Sequence, residues 1–182
     1  GTGMRPALAG GEAHADRRKH ALEGASAIAE DRLELGRERA KIINADRQFD
    51  AALFLEGAKS AYGMVLAAYW TGDKASLQFL CDDDVYDSFS EAIDARDARG
   101  EVLDNRLVRI EEARIVDASY EHPVARITVR FDADIASLMK NTDGTIIGGT
   151  MNDAVESHDV WTFFRDLKSG DRNWKLDETD EV

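Results

Sequence analysis

Between Ala125 and Ile135 the chain alternates without a break. Ala125, Ile127, Val129, Phe131, Ala133 and Ile135 are apolar, and Arg126, Thr128, Arg130, Asp132 and Asp134 between them are polar. A period of two puts the first set on one face of a β-strand and the second set on the other. Such a strand needs a second layer over its apolar face, while its other face stays wet. The flanking sequence supplies neighbours for it. Leu107–Ser119 reads as a strand with a bulge at Glu111-Glu112, and His122-Pro123 as the turn after it. Asn141-Thr142-Asp143-Gly144 is a hairpin signal, and Thr145–Gly148 begins the return. Further on, Val160–Phe164 and Trp174–Leu176 are two aromatic bursts around the polar loop Arg165–Asn173. They predict a closing hairpin.

Upstream of Asn105 the period is helical. Over residues 49–71, Phe49, Leu53, Ala61, Val65, Ala68 and Tyr69 recur at helical spacings, with Tyr62 and Leu66 widening the face. Thr71-Gly72-Asp73 stops that helix, and Asp73 is placed to cap a short one over Lys74–Leu80. A further helix over about Asp83–Arg99 turns Val85, Phe89, Ala92 and Ile93 inward and stops at Gly100. Residues 13–48 have a helical composition but a thin apolar stripe, and residues 1–12 read as linker. The expected domains are therefore a linker (1–12), a charged helical arm (13–48) and a folded domain (49–182). Helices followed by antiparallel strands predict an α+β fold, with N-terminal helices packed on a curved sheet of about four strands. That arrangement resembles the NTF2-like or cystatin-like cone, in which a helix closes over a concave sheet.

Charge narrows the partners. The formal net charge is -13. Residues 1–48 hold nine basic and eight acidic residues, against 14 basic and 28 acidic in residues 49–182. The acidic body repels phosphate backbones and anionic headgroups, so nucleic-acid binding is not expected. Only the arm offers an anionic-lipid contact, through Arg17, Arg18, Lys19, Arg37, Arg39 and Lys41. No stretch has the apolar length of a membrane span, and no signal-peptide pattern opens the chain, so as given it reads as soluble.

Chemistry is sparse. The single cysteine, Cys81, excludes an internal disulfide. His14, His20, His122 and His158 lack ligand spacing. Asp82-Asp83-Asp84 with Asp87 lacks the spacing of a calcium loop and suits a helix N-terminus. There is no phosphate-binding loop, nucleophile elbow or dinucleotide fingerprint, so no cofactor, metal or catalytic residue is expected.

Two blocks in order resemble one family. Phe54-Leu55-Glu56-Gly57-Ala58-Lys59, Ala61-Tyr62, Gly72-Asp73 and Val85-Tyr86 with Phe89 form the first. Asp159-Val160-Trp161-Thr162-Phe163, Arg165-Asp166, Asp171, Asn173-Trp174 and Leu176 form the second. Together they are similar to the Tim44-like domain as found in bacteria, over about Phe49–Thr179. Thr2-Gly3 with Arg5-Pro6 is similar to the linker after that family's N-terminal anchor. The resemblance implies a non-enzymatic, membrane-associated adaptor on the cytoplasmic face of a bacterial inner membrane, linked to protein translocation or membrane-protein assembly. It implies a protein partner and an apolar pocket for a lipid tail or a partner side chain. Between the Phe49–Trp70 helix and the sheet, the expected lining is Tyr62, Leu66, Tyr69, Phe131, Ile135 and Phe163, with Phe164 the alternative to Phe163. The competing reading is an NTF2-like small-molecule enzyme, which a buried Asp, His or Tyr facing an open cavity would favour.

Overall fold

The computed structural model describes residues 9–181. Its elements are α1 (Ala9–Ala45), α2 (Ala51–Thr71), α3 (Lys74–Leu80), α4 (Asp83–Ala98), β1 (Glu101–Leu103), β2 (Arg106–Glu121), β3 (Val124–Asn141), β4 (Ile146–Asp166) and β5 (Lys175–Glu181). The chain forms two compact units, one ending at Arg37 and one beginning at Glu38. The first is the N-terminal part of α1, with Leu22, Ile28 and Leu33 exposed along it. Residues 9–12 are helical where the sequence predicts linker, and residues 1–8 lie outside the described residues.

The second unit begins earlier than Phe49. Ile42 is fully buried, the Tyr120 amide donates to the Glu38 carboxylate (2.9 Å), and Arg165 pairs with Asp46 (3.0 Å). These contacts make residues 38–48 part of the folded unit.

Side-chain caps delimit the helices. Asp50 accepts from the amides of Ala52 and Leu53 at the start of α2, and Gly72, at φ +76°, ends it. Asp73 accepts from the Ser76 amide, and Asp82 from the Val85 amide. Asp83 and Asp84 lie in the first turn of α4, where the helix dipole favours negative charge. The acidic cluster is thus a helix start. Among the described residues, no group of three or more His, Cys, Asp or Glu is placed to hold a metal ion.

The sheet is antiparallel, in the order β2-β3-β4-β5. β1 pairs with the last residues of β3, on the same side as β2, so β1 and β2 share one lane broken at Asp104-Asn105. Asn105 Oδ1 accepts from the Leu138 amide at that break. Five strands therefore occupy four lanes. β2 shifts register after Leu107, Ile110 and Ile115, and the second shift falls at the expected Glu111 bulge. Bulges bend and twist a strand, which curls the sheet. Ile127, Val129 and Phe131 are fully buried, and Trp161 is nearly so, as the alternation predicts.

The buried stripe of α2 is Phe54, Ala58, Tyr62, Val65 and Ala68. Tyr62, Val65 and Ala68 lie on the expected face, and the correction falls at the start of the helix, where Phe54 is buried and Leu53 is 71% exposed. The helix is apolar on more than one side, so helical spacing alone selects no unique inner face.

Candidate functional site: two clefts beside a plugged core

The middle of the helix–sheet interface is filled. The Tyr62 ring stacks on Phe131 (4.4 Å between centroids, 23°) and leans on Trp161 (4.6 Å). Phe163 meets Phe131 edge-on at 6.5 Å and is buried, whereas Phe164 is only partly so. A single cavity lined by all six expected residues is therefore not what forms. Tyr62 and Phe131 plug the centre, Leu66, Tyr69 and Ile135 line a cleft toward the C-terminal end of α2, and Phe163 lines another toward its N-terminal end.

The N-terminal cleft has a volume of about 380 Å³. Its walls are aromatic: Phe54 lies edge-on to Trp174 at 5.0 Å, and Phe49 lies 6.2 Å from the same indole. The closing hairpin thus contributes a wall through Trp174. Leu53, Met64 and Phe79 also line this cleft, and they are 71%, 52% and 65% exposed. Met64, Phe79 and Leu80 continue into an adjoining depression beside Ala67, Thr71 and Ala75. The result is one apolar groove along α2 and α3. At its end, Arg172 donates to Gln48 (2.6 Å) and Arg165 to Asp46. Arg165 Nε is buried with no hydrogen-bond partner. Sequence reasoning missed Met64, Phe79 and Trp174. For Met64 the available signal was the second apolar stripe of α2; Phe79 on α3 and Trp174 before β5 had none of that kind.

The C-terminal cleft, about 550 Å³, is chemically different. The Tyr62 hydroxyl donates to Asp159 Oδ2 (2.6 Å), and the Ser157 hydroxyl donates to the same oxygen (3.2 Å). Burial, and then the Asp159 carboxylate, push the Tyr62 phenol far above its usual value. The inner face of β3 carries no proton-transferring group, as the sequence indicates, but β4 does. Ser157, Asp159, Trp161 and Phe163 follow the same period of two. His158 points to the opposite face, where it bonds Asp132 and, with Arg130, lowers that carboxylate's pKa. Burial pushes the Cys81 thiol up to about 12, so it is no nucleophile at neutral pH.

The Tyr62 shift has a measurable consequence. A phenol whose pKa is raised in the folded state stabilises the fold below its unfolded value, near pH 10, and that stability is lost as pH rises further. The gap between the urea midpoints of the native protein and of Tyr62→Phe is therefore expected to hold steady up to about pH 10 and to narrow progressively above it. A constant gap would contradict the assignment.

The expected membrane-contact residues lie along α1. Arg17, Arg18 and Lys19 are exposed and consecutive, so they point around the helix and not to one face. Arg37 pairs with Glu34 and Lys41 with Glu38, while Arg39 is half-buried. No described helix is long and apolar enough to cross a membrane.

Comparison with known proteins places the fold. No curated protein sequence matches the chain. The crystal structure of the intermembrane space region of the chloroplast protein ARC6 is similar, with a TM-score of 0.50 and 12% identity, covering 74% of this chain and 98% of that one. At that identity the likeness concerns the fold alone. The model of the Tim44-like domain matches residues 36–181, a span that takes in the folded unit with both clefts and stops short of most of the arm. The chain belongs to the Tim44-like domain family.

Proposed function

We propose that this protein is a non-enzymatic, membrane-associated binding domain that works as an adaptor in protein translocation or membrane-protein assembly. Its α2–α3 groove receives an apolar group, either a lipid acyl chain or an apolar side chain of a protein partner. One observation carries the reading. Leu53, Met64 and Phe79, all large and exposed, converge on a single groove of an otherwise acidic protein. Contiguous exposed apolar surface of this kind marks interaction sites. By resemblance to the family, the domain works at the cytoplasmic face of a bacterial inner membrane, held there by an N-terminal anchor, with the basic residues of α1 adding a contact to anionic lipid.

The Tyr62–Asp159 pair is the feature that an enzyme reading would claim. A general base and a proton donor serve catalysis when each is free to reach substrate. Here the two are bonded to each other, and the phenol is held protonated. The pair positions a carboxylate and does not form an acid–base dyad.

Vesicle sedimentation separates the two contacts. On zwitterionic vesicles, Phe79→Asp is expected to abolish binding while removal of residues 1–35 leaves it intact. On anionic vesicles, the same truncation is expected to remove only the added binding that Arg17, Arg18 and Lys19 supply. That binding is weak, because about 1 kcal/mol per basic residue is offset by Glu34, Glu38 and the other acids interspersed along α1. Unchanged sedimentation of Phe79→Asp would overturn the groove reading.

A further inference from the structure

We propose that the cleft at the C-terminal end of α2 binds a small organic ammonium ion. The site is independent of the apolar groove, and its chemistry has the opposite sign. Tyr69, Trp70, Phe89 and Trp161 give it aromatic walls. Among the described residues, its charged lining groups are Asp159, Asp180 and Glu181, with no Lys, Arg or His. Cations are attracted to aromatic faces, most strongly to tryptophan, and nearby carboxylates add to the effect. The volume of about 550 Å³ suits a small ligand.

The register of the sheet gives a second reason. Asp159 on β4 stands directly opposite Glu181 on β5. Like charges directly opposite each other across an antiparallel ladder are destabilising. No basic side chain lining the cleft offsets this pair, and a cation seated between the carboxylates would. Asp159 is also held in place: Tyr62 and Ser157 both donate to Oδ2, and Oδ1 takes neither bond. The guanidinium of Arg96 lies 5.2 Å from the Tyr69 ring, but it is buried and donates to the Tyr69 carbonyl oxygen outside the cleft lining. It leaves Trp70 and Phe89 for a ligand, while Trp161, 4% exposed and covered by Tyr62, meets the cleft only at its margin. The acidic body draws cations and repels anions at longer range.

The three tryptophans localise the test. Trp70 and Trp161 line this cleft, and Trp174 lines the other. The full chain is titrated with benzyltrimethylammonium while the three indole N–H resonances are followed by NMR. Trp70 and Trp161 are expected to shift saturably, with Trp174 unmoved. Benzenesulfonate, an anion of similar size, is expected to bind at least about tenfold more weakly. Asp159→Asn is expected to weaken the cation by about tenfold or more. Asp180→Asn with Glu181→Gln, at exposed positions where folding is not at stake, is expected to weaken it by about twofold to fivefold. Should Asp159→Asn fail to fold, the exposed pair decides alone. Equal affinity for cation and anion, a shift of Trp174 alone, or no loss in the acid variants would overturn the proposal.

Discussion

Phe131→Ala is expected to lower the folding free energy by about 3–5 kcal/mol, read as a marked fall in the urea midpoint. The side chain is fully buried at the centre of the sheet. It stacks on Tyr62 from α2 and meets Trp161 and Phe163 of β4 edge-on, at 5.9 and 6.5 Å. Alanine removes the transfer free energy of the ring and leaves a hole whose walls are three other rings. Those rings cannot collapse freely. Tyr62 is bonded to Asp159, and Trp161 and Phe163 are locked in the β3–β4 register. The cost therefore lies toward the upper end of the usual range. Phe131 also belongs to the plug between the two clefts, so its removal is expected to bring the clefts closer to one cavity. A midpoint that barely moves would mean that the alternation at residues 125–135 has been assigned to the wrong face.

Gly149→Ala is the second large effect. Gly149 sits at φ +76°, and a Cβ added there would lie 2.1 Å from the Ser137 carbonyl oxygen and 2.9 Å from its carbon. These are backbone atoms of β3, paired in the same ladder, so no side-chain rotation relieves the clash. The left-handed conformation alone costs about 1–3 kcal/mol for a non-glycine residue, and the overlap adds to it. Gly144→Ala is the control. Gly144 has φ +89° with nothing within 4 Å of the added atom, so that variant carries the conformational cost without the clash. Thermal midpoints are expected to fall clearly further for Gly149→Ala. Equal falls would contradict the close approach.

The strands and caps were legible because each is set by local chemistry. The alternation at residues 125–135 gives an unambiguous inner face, and Asp73 and Asp82 cap as short acceptors before helices do, whereas the Asp50 cap was missed because the helix was expected to start at Phe49. Tyr62, Val65 and Ala68 were legible on the inner face of α2, but the inner face at its N-terminal end was not. Leu53 and Phe54 head competing stripes on a helix that is apolar nearly all round, and only the sheet decides between them. That same ambiguity created the candidate site, since the stripe the sheet leaves uncovered is the groove. The continuation of β3 beyond Ile135 was also hidden. Ala136 and Leu138 are buried there in the opposite phase, across a register shift against β4. The extra residues of that shift lie on β4, between Thr150 and Ala154, and Ile135 and Ser137 still line one cleft together, so β3 buries side chains on both faces at this end, which a one-face alternation does not foresee. Asp159 belongs to the second family block, yet its role depends on Tyr62, 97 positions away. A contact at that separation has no local signature. The early start of the folded unit has the same origin, because Ile42, Glu38 and Asp46 are tied down by residues far along the chain.

The binding role of the α2–α3 groove is tested most directly by photolabelling. The native protein is irradiated with a diazirine-bearing fatty acid in membranes, and the labelled positions are mapped by mass spectrometry. The account predicts saturable labelling concentrated on the peptides that hold Leu53, Met64, Phe79 and Trp174, displaced by unlabelled fatty acid or by a protein partner, and lost in Phe79→Asp. Labelling spread over the outer face of the sheet, or undiminished in Phe79→Asp, would contradict it.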